Sequence, residues 1–152
     1  MEICIEASDL PGSGPGFACA PEAGPVYVGV QRKDRPGEVL EPHRGDAPSA
    51  VWTLECVART TADGVELTGR YVQDRLGGRF VYLSWGTLDG HGVFSMFRRA
   101  KLMLADVDAA VLDAAAGSGR LVARLGLSDA RGGPLCGRVR PGDVAWTAET
   151  PG

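Results

Sequence analysis

The alternation of apolar and polar residues predicts an antiparallel β domain, all-β or α+β with one short helix at about 107–116, built as a barrel or a two-sheet sandwich of about eight strands. Three observations carry this expectation. From residue 50 onward apolar side chains recur at a period of two. The period becomes helical in one segment, "ADVDAAVLDAAAGSG". Turn signals at Asp63-Gly64, "DGHG" and Asp129–Gly133 cut the regular part into hairpins. The length of 152 residues fits a single domain over 1–152, long enough for a core without metal or disulfide staples.

At the N-terminus "MEICIEA" and "PVYVGVQRK" read as two strands. Around them, 10–25 and 34–49 collect Pro11, Pro15, Pro21, Pro25, Pro36, Pro42 and Pro48 and read as long Pro/Gly-rich loops, suited to cover a binding edge. The first hairpin, 50–73, turns at Asp63-Gly64, where both residues tolerate positive φ. Pairing across it puts Trp52, Leu54, Cys56 and Ala58 on one face with Val65, Leu67, Gly69 and Tyr71. Glu55, Val57, Arg59, Glu66, Thr68 and Arg70 fall opposite, with Glu55 and Arg70 placed for a cross-strand ion pair.

The second hairpin sets Val81, Leu83 and Trp85 inward with Phe94, Met96, Ala100, Leu102 and Leu104. Phe80, Tyr82, Ser84, Ser95, Phe97, Arg99 and Lys101 lie on the other face, expected to be solvated. In the helix, Asp106 reads as the N-cap, Val107, Ala110, Val111 and Ala114 as the apolar stripe, and Gly117 as the stop. A third hairpin turns at Asp129–Gly133 and aligns Leu121, Ala123, Leu125, Leu127, Leu135 and Val139, and "VAWT" adds a ninth strand.

Composition narrows function chiefly by exclusion. With 44% hydrophobic and 23% charged residues and a net charge of −3, there is no electrostatic case for nucleic-acid or anionic-membrane binding. Glu2 and Glu6 stand where a signal peptide carries positive charge, and no run approaches the roughly 20 apolar residues of a membrane span, so a cytoplasmic location is expected. Cys4, Cys19, Cys56 and Cys136 form no close pair, which fits reduced thiols. Phosphate loops, dinucleotide fingerprints and nucleophile elbows are missing, and His43 and His91 are the only histidines, so neither a cofactor nor a metal is expected.

Arg98 is the sharpest feature. The alternation that turns Met96 and Ala100 inward carries Arg98 inward too, across from Val81 or Leu83. An inward cation needs a partner or an exit. Three readings stay open: a bulge or rim position, a pair with a loop carboxylate such as Asp9 or Asp46, or an anion- or carbonyl-binding group in the interior. The candidate ligand-binding residues are Arg98, Tyr71, Trp52, Trp85, His43 and Asp46, with His43 a conceivable base beside Arg44 and Asp46. No catalytic residue is assigned.

The stretches "SDLPG", "VGVQRKDRP", "GDAPSAVWTLEC", "GGRFVYLSWG", "MFRRAKL" and "GRLVARLGLSDARGGPLC", in this order, resemble a family of small, mainly actinobacterial proteins labelled as a domain of unknown function. "ICIEASDLPG", "PVYVGVQRK" and "SAVWTLE" are similar to calcium-dependent membrane-binding β-sandwich modules, with Asp9 and Asp34 the only early counterparts of the calcium-holding aspartates. Two functional expectations follow. One is a small-molecule-binding domain, extending to an enzyme that isomerises or cyclises a metabolite with few catalytic groups. The other is a non-catalytic interaction module that binds a protein partner or self-associates into a homo-oligomer.

Overall fold

The structure is a computed structural model that describes residues 1–8, 25–45, 47–75, 78–126 and 136–152. In chain order the strands are β1 (Glu2–Ser8), β2 (Tyr27–Gln31), β3 (Val39–Arg44), β4 (Ser49–Glu55), β5 (Val57–Thr61), β6 (Gly64–Thr68), β7 (Gln73–Arg75), β8 (Gly78–Leu88), β9 (Phe94–Met103), β10 (Arg120–Gly126), β11 (Cys136–Arg138) and β12 (Val144–Glu149). The helix α1 (Ala109–Ser118) lies between β9 and β10. One sheet runs β12-β10-β1-β4, a second runs β11-β9-β8-β2-β3 with β7 added beside β8, and β5 and β6 pair by themselves. Among the described residues no sheet closes into a barrel, so the architecture is sandwich-like. Strands outnumber the expectation because long runs are broken and short segments such as β7 and β11 join the edges.

Alternation places the core between the two larger sheets. Ile3, Ile5, Ala7, Trp52, Leu54, Leu121, Ala123 and Leu125 come from one, and Val28, Val30, Val81, Leu83, Trp85, Ala100 and Leu102 from the other, all buried. Fully burying such a side chain stabilises by about 1.5–3 kcal/mol, so this layer holds the fold. On the opposite side of the four-stranded sheet, Arg120 meets Glu2 at 2.7 Å and Arg124 meets Glu6 at 2.7 Å and Glu149 at 2.8 Å. Parallel register sets Glu2 beside Arg120 and Glu6 beside Arg124, so these pairs mark the alignment of β1 with β10.

The first hairpin keeps its predicted faces, with Ala58 opposite Leu67 and Arg59 opposite Glu66, but its first strand is not continuous. It breaks at Cys56, whose N–H donates to the Met1 carbonyl at 2.9 Å, and β4 pairs with β1 while β5 starts the hairpin. Ala62 and Asp63 form the loop and Gly64 takes the positive φ of 116°. Glu55 lies opposite Glu2 rather than Arg70, and it is Glu66 that takes Arg59 and Arg79 as partners.

Three other expectations are corrected. Segment 34–49 is not all loop: it contains β3, with Pro42 inside it, which an edge strand tolerates because a missing N–H there breaks no ladder. The expected third hairpin does not form. Strand β10 pairs with β1 and β12, β11 pairs with β9 in the other sheet, and the turn itself, with Leu127 and Leu135, lies outside the described residues. Alternation tells which side of a strand is buried but not which strand lies beside it. In the helix, Asp106 belongs to a 3-10 turn, Leu104–Asp106, and Asp108 takes the N-cap position. Gly119, at φ 100°, ends the helix rather than Gly117. The inward residues are therefore Ala115, Val111 and Leu112, while Ala110 and Ala114 are exposed. Among the described residues no helix is long and apolar enough to cross a membrane.

Candidate functional site

Register brings four of the six candidates to one end of the core. Val28 pairs with His43 on one side and Trp85 on the other, and Trp85 pairs with Arg98. His43, Val28, Trp85 and Arg98 thus form a row across the inner face of the six-stranded sheet. From the facing sheet, Trp52 stacks edge-on against His43 with ring centroids 5.2 Å apart. Three strand spacings of about 4.8 Å separate β3 from β9, so His43 and Arg98 stand roughly 14 Å apart and cannot grip one small group together.

The two tryptophans are core rather than pocket walls, since each is 0% exposed. The Trp52 indole N–H donates to the Glu41 carbonyl at 2.9 Å. Glu41 is held at φ 39°, a left-handed conformation rare outside glycine, at a bulge where Glu41 and Pro42 oppose Gly29. His43 Nε2 lies 3.3 Å from the Val51 carbonyl.

Arg98 is half-buried and sits at a second bulge, opposite Trp85 rather than Val81 or Leu83. There Phe97 is the extra residue between the Trp85–Arg98 and Gly86–Met96 pairs, which shifts the register of everything before Arg98. Asp46 and Asp9, the loop carboxylates considered for it, lie outside the described residues, as does 10–24 of the first Pro-rich loop. Asp34, the other counterpart of a calcium ligand, is bonded to Arg32 at 2.9 Å.

Tyr71 is elsewhere, on a cleft of about 550 Å³ where the β4–β5 break meets the turn after β6. Leu54, Cys56 and Gly69 form its floor, and Glu55, Arg70 and Tyr71 supply polar groups. Gly69 permits the close approach: a Cβ there would stand 3.0 Å from the Glu55 carbonyl oxygen and 3.3 Å from Cys56 Cα. The sequence had set Leu54, Cys56, Gly69 and Tyr71 on one face, but only the break at Cys56 turns that face into a concavity.

Burial pushes the Cys56 thiol up to about 11, with the nearby N-terminal amine opposing and Glu55 adding to the rise. The thiol is therefore neutral at physiological pH and is no activated nucleophile. Native protein at pH 8 is expected to leave Cys56 unmodified by iodoacetamide over times that alkylate it fully in denaturant; equal rates would contradict its burial. Because the folded value lies above the unfolded one of 9.0, this group's stabilising contribution is complete below pH 9 and is lost as pH rises through about 11.

The face of β8 and β9 read as solvated is in fact largely covered. Phe80, Tyr82 and Ser84 are 3%, 6% and 0% exposed. The Arg99 guanidinium lies 4.7 Å from the Tyr82 ring centre and the Lys101 ammonium 4.8 Å from that of Phe80. Beside them is a buried polar cluster: the Ser84 hydroxyl donates to Gln31 Oε1 at 2.8 Å, and Gln73 Nε2 reaches the Gln31 carbonyl at 3.5 Å. Such a cluster requires satisfied hydrogen bonds once water is excluded.

A second cleft, about 490 Å³, lies at Glu6, Ser49, Arg124 and Gly126, where Arg124 is already engaged by two carboxylates. The Arg124 pairing and Thr147 hold the Glu149 carboxyl below the usual range. A model of a family of unknown function matches residues 1–149. No curated protein and no solved structure matches the chain.

Proposed function

The chain belongs to that family of unknown function (DUF5990), and on this premise we propose that it is a small-molecule-binding β domain whose ligand sits in the cleft at Tyr71 rather than beside Arg98. The observation that carries this reading is the cleft itself. Its volume falls within the range of ligand sites, about 300–1,000 Å³, and it combines an apolar floor with a few convergent polar groups. Tyr71 and Arg70 would orient a polar substituent while Leu54 and Cys56 meet the apolar body. The protonated Cys56 thiol supports binding more than nucleophilic chemistry, and an isomerising or cyclising step would rest on Tyr71, Glu55 and Arg70.

A fragment and metabolite screen on isotope-labelled protein tests this. Hits are expected to shift the amide signals of Cys56, Gly69 and Tyr71, and Tyr71→Ala to weaken them at least about tenfold, equivalent to ~1.4 kcal/mol. Hits that cluster elsewhere, or that bind Tyr71→Ala equally well, would overturn the assignment. A second reading, an interaction module, is favoured by Val57, which lines this cleft and is 64% exposed. Concentration-dependent sedimentation abolished by Val57→Asp would support that reading instead.

A further inference from the structure

We propose that Arg99 and Lys101 form an anion site on the outer face of the six-stranded sheet, and that its ligand is the phosphate group of a small phosphorylated molecule. The inference is independent of the Tyr71 cleft, which is lined by none of these residues.

Charge compensation singles out this pair. Arg32, Arg79 and Arg120 are half-buried cations, and each meets a carboxylate: Asp34 and Glu38 for Arg32, Glu66 and Asp74 for Arg79, Glu2 for Arg120. Arg99 and Lys101 are equally half-buried, yet among the described residues no carboxylate lies within ion-pair distance of either. Their contacts are the ring faces of Tyr82 and Phe80. A ring face attracts a cation but accepts few of the hydrogen bonds that a guanidinium and an ammonium carry. The rings therefore fix both head groups in place and leave donors for a ligand.

Spacing and charge then select the ligand class. Two residues apart on one strand, the two cations share a face and their Cα atoms are about 7 Å apart, close enough to converge on one tetrahedral group. Two positive charges balance a phosphate monoester, which carries about −1.5 to −2 near neutral pH, better than a single carboxylate. Arg supplies the planar fork and Lys the point charge that phosphate sites combine. Single-stranded nucleic acid fits poorly, because it needs aromatic faces open for base stacking, and Tyr82 and Phe80 are buried and already capped.

The test uses inorganic pyrophosphate as probe in low-salt buffer, followed by calorimetry and by amide shifts of the full chain. Wild-type protein is expected to bind it, with the largest shifts at Ser84, Arg99 and Lys101. Arg99→Gln and Lys101→Gln should each weaken binding at least about tenfold, while Arg98→Gln changes it less than about twofold. Near-UV circular dichroism checks that each variant keeps its fold. Absence of binding by the wild type, shifts confined to other strands, or an equal loss in Arg98→Gln would overturn the proposal. The wild-type shifts decide the matter even if a variant fails to fold.

Discussion

Trp52→Ala is expected to destabilise the fold by about 3–5 kcal/mol, the range for removing a fully buried aromatic side chain. Trp52 is 0% exposed between the two sheets, touches His43 and donates its indole N–H to Glu41. The substitution leaves a cavity and withdraws the bond that holds the unusual Glu41 backbone. Trp52→Phe should cost less, about 1–3 kcal/mol, because most of the apolar volume stays and the exposed Glu41 carbonyl can turn to water. Denaturant titration with an unchanged slope is the measurement. For a chain of this size the alanine variant should lower the melting temperature by roughly 6–20 °C. A loss below about 1 kcal/mol would mean that Trp52 is not in the packed core, and would restore it as a pocket wall.

The second large effect is expected at Gly86. A Cβ there would collide with the Ser95 carbonyl oxygen, and would come within 2.8 Å of the Ser95 carbonyl carbon and of Phe94 Cζ. The obstruction is mainly backbone of the paired strand, which cannot move aside as a flexible side chain does. Gly86→Ala should therefore cost at least the upper part of the ~1–3 kcal/mol usual for overpacking. Gly90→Ala is the control: nothing lies within 4 Å of its added Cβ, and its effect should stay within about 0.5 kcal/mol. Equal melting temperatures for the two variants would show that the bulge at Trp85 and Gly86 is not as drawn.

Gly86 also shows how much of the site could be read in advance. An isolated glycine inside a strand signals a bulge or a close backbone approach, and both are found there. A bulge in the paired strand is what places Arg98 opposite Trp85. Reading strict alternation through residue 97 gave the correct face for Arg98 but the wrong neighbour. At Gly29 the same signal marks the bulge in the β2–β3 pairing, where a Cβ would lie 2.8 Å from that of Val39. There the prolines of 34–49 hid a strand, because Pro42 argues against a central strand but not against an edge.

By itself the sequence determined which way side chains point. Trp52, Leu54, Leu67, Val81, Leu83, Ala100, Leu121 and Leu125 are buried on the faces that period two assigns, because alternation is a local property of extended backbone. It also set Cys56, Gly69 and Tyr71 on one side. Only the tertiary structure decided what covers each side. Partner choice between strands depends on contacts distant along the chain, so β10 went beside β1 in parallel and the expected hairpin with β11 was lost. For the same reason the polar phase of β8 became a second buried face. Alternation gave Tyr82 and Ser84 one direction, and packing decided that this direction held Gln31 and two cations over aromatic rings rather than open water.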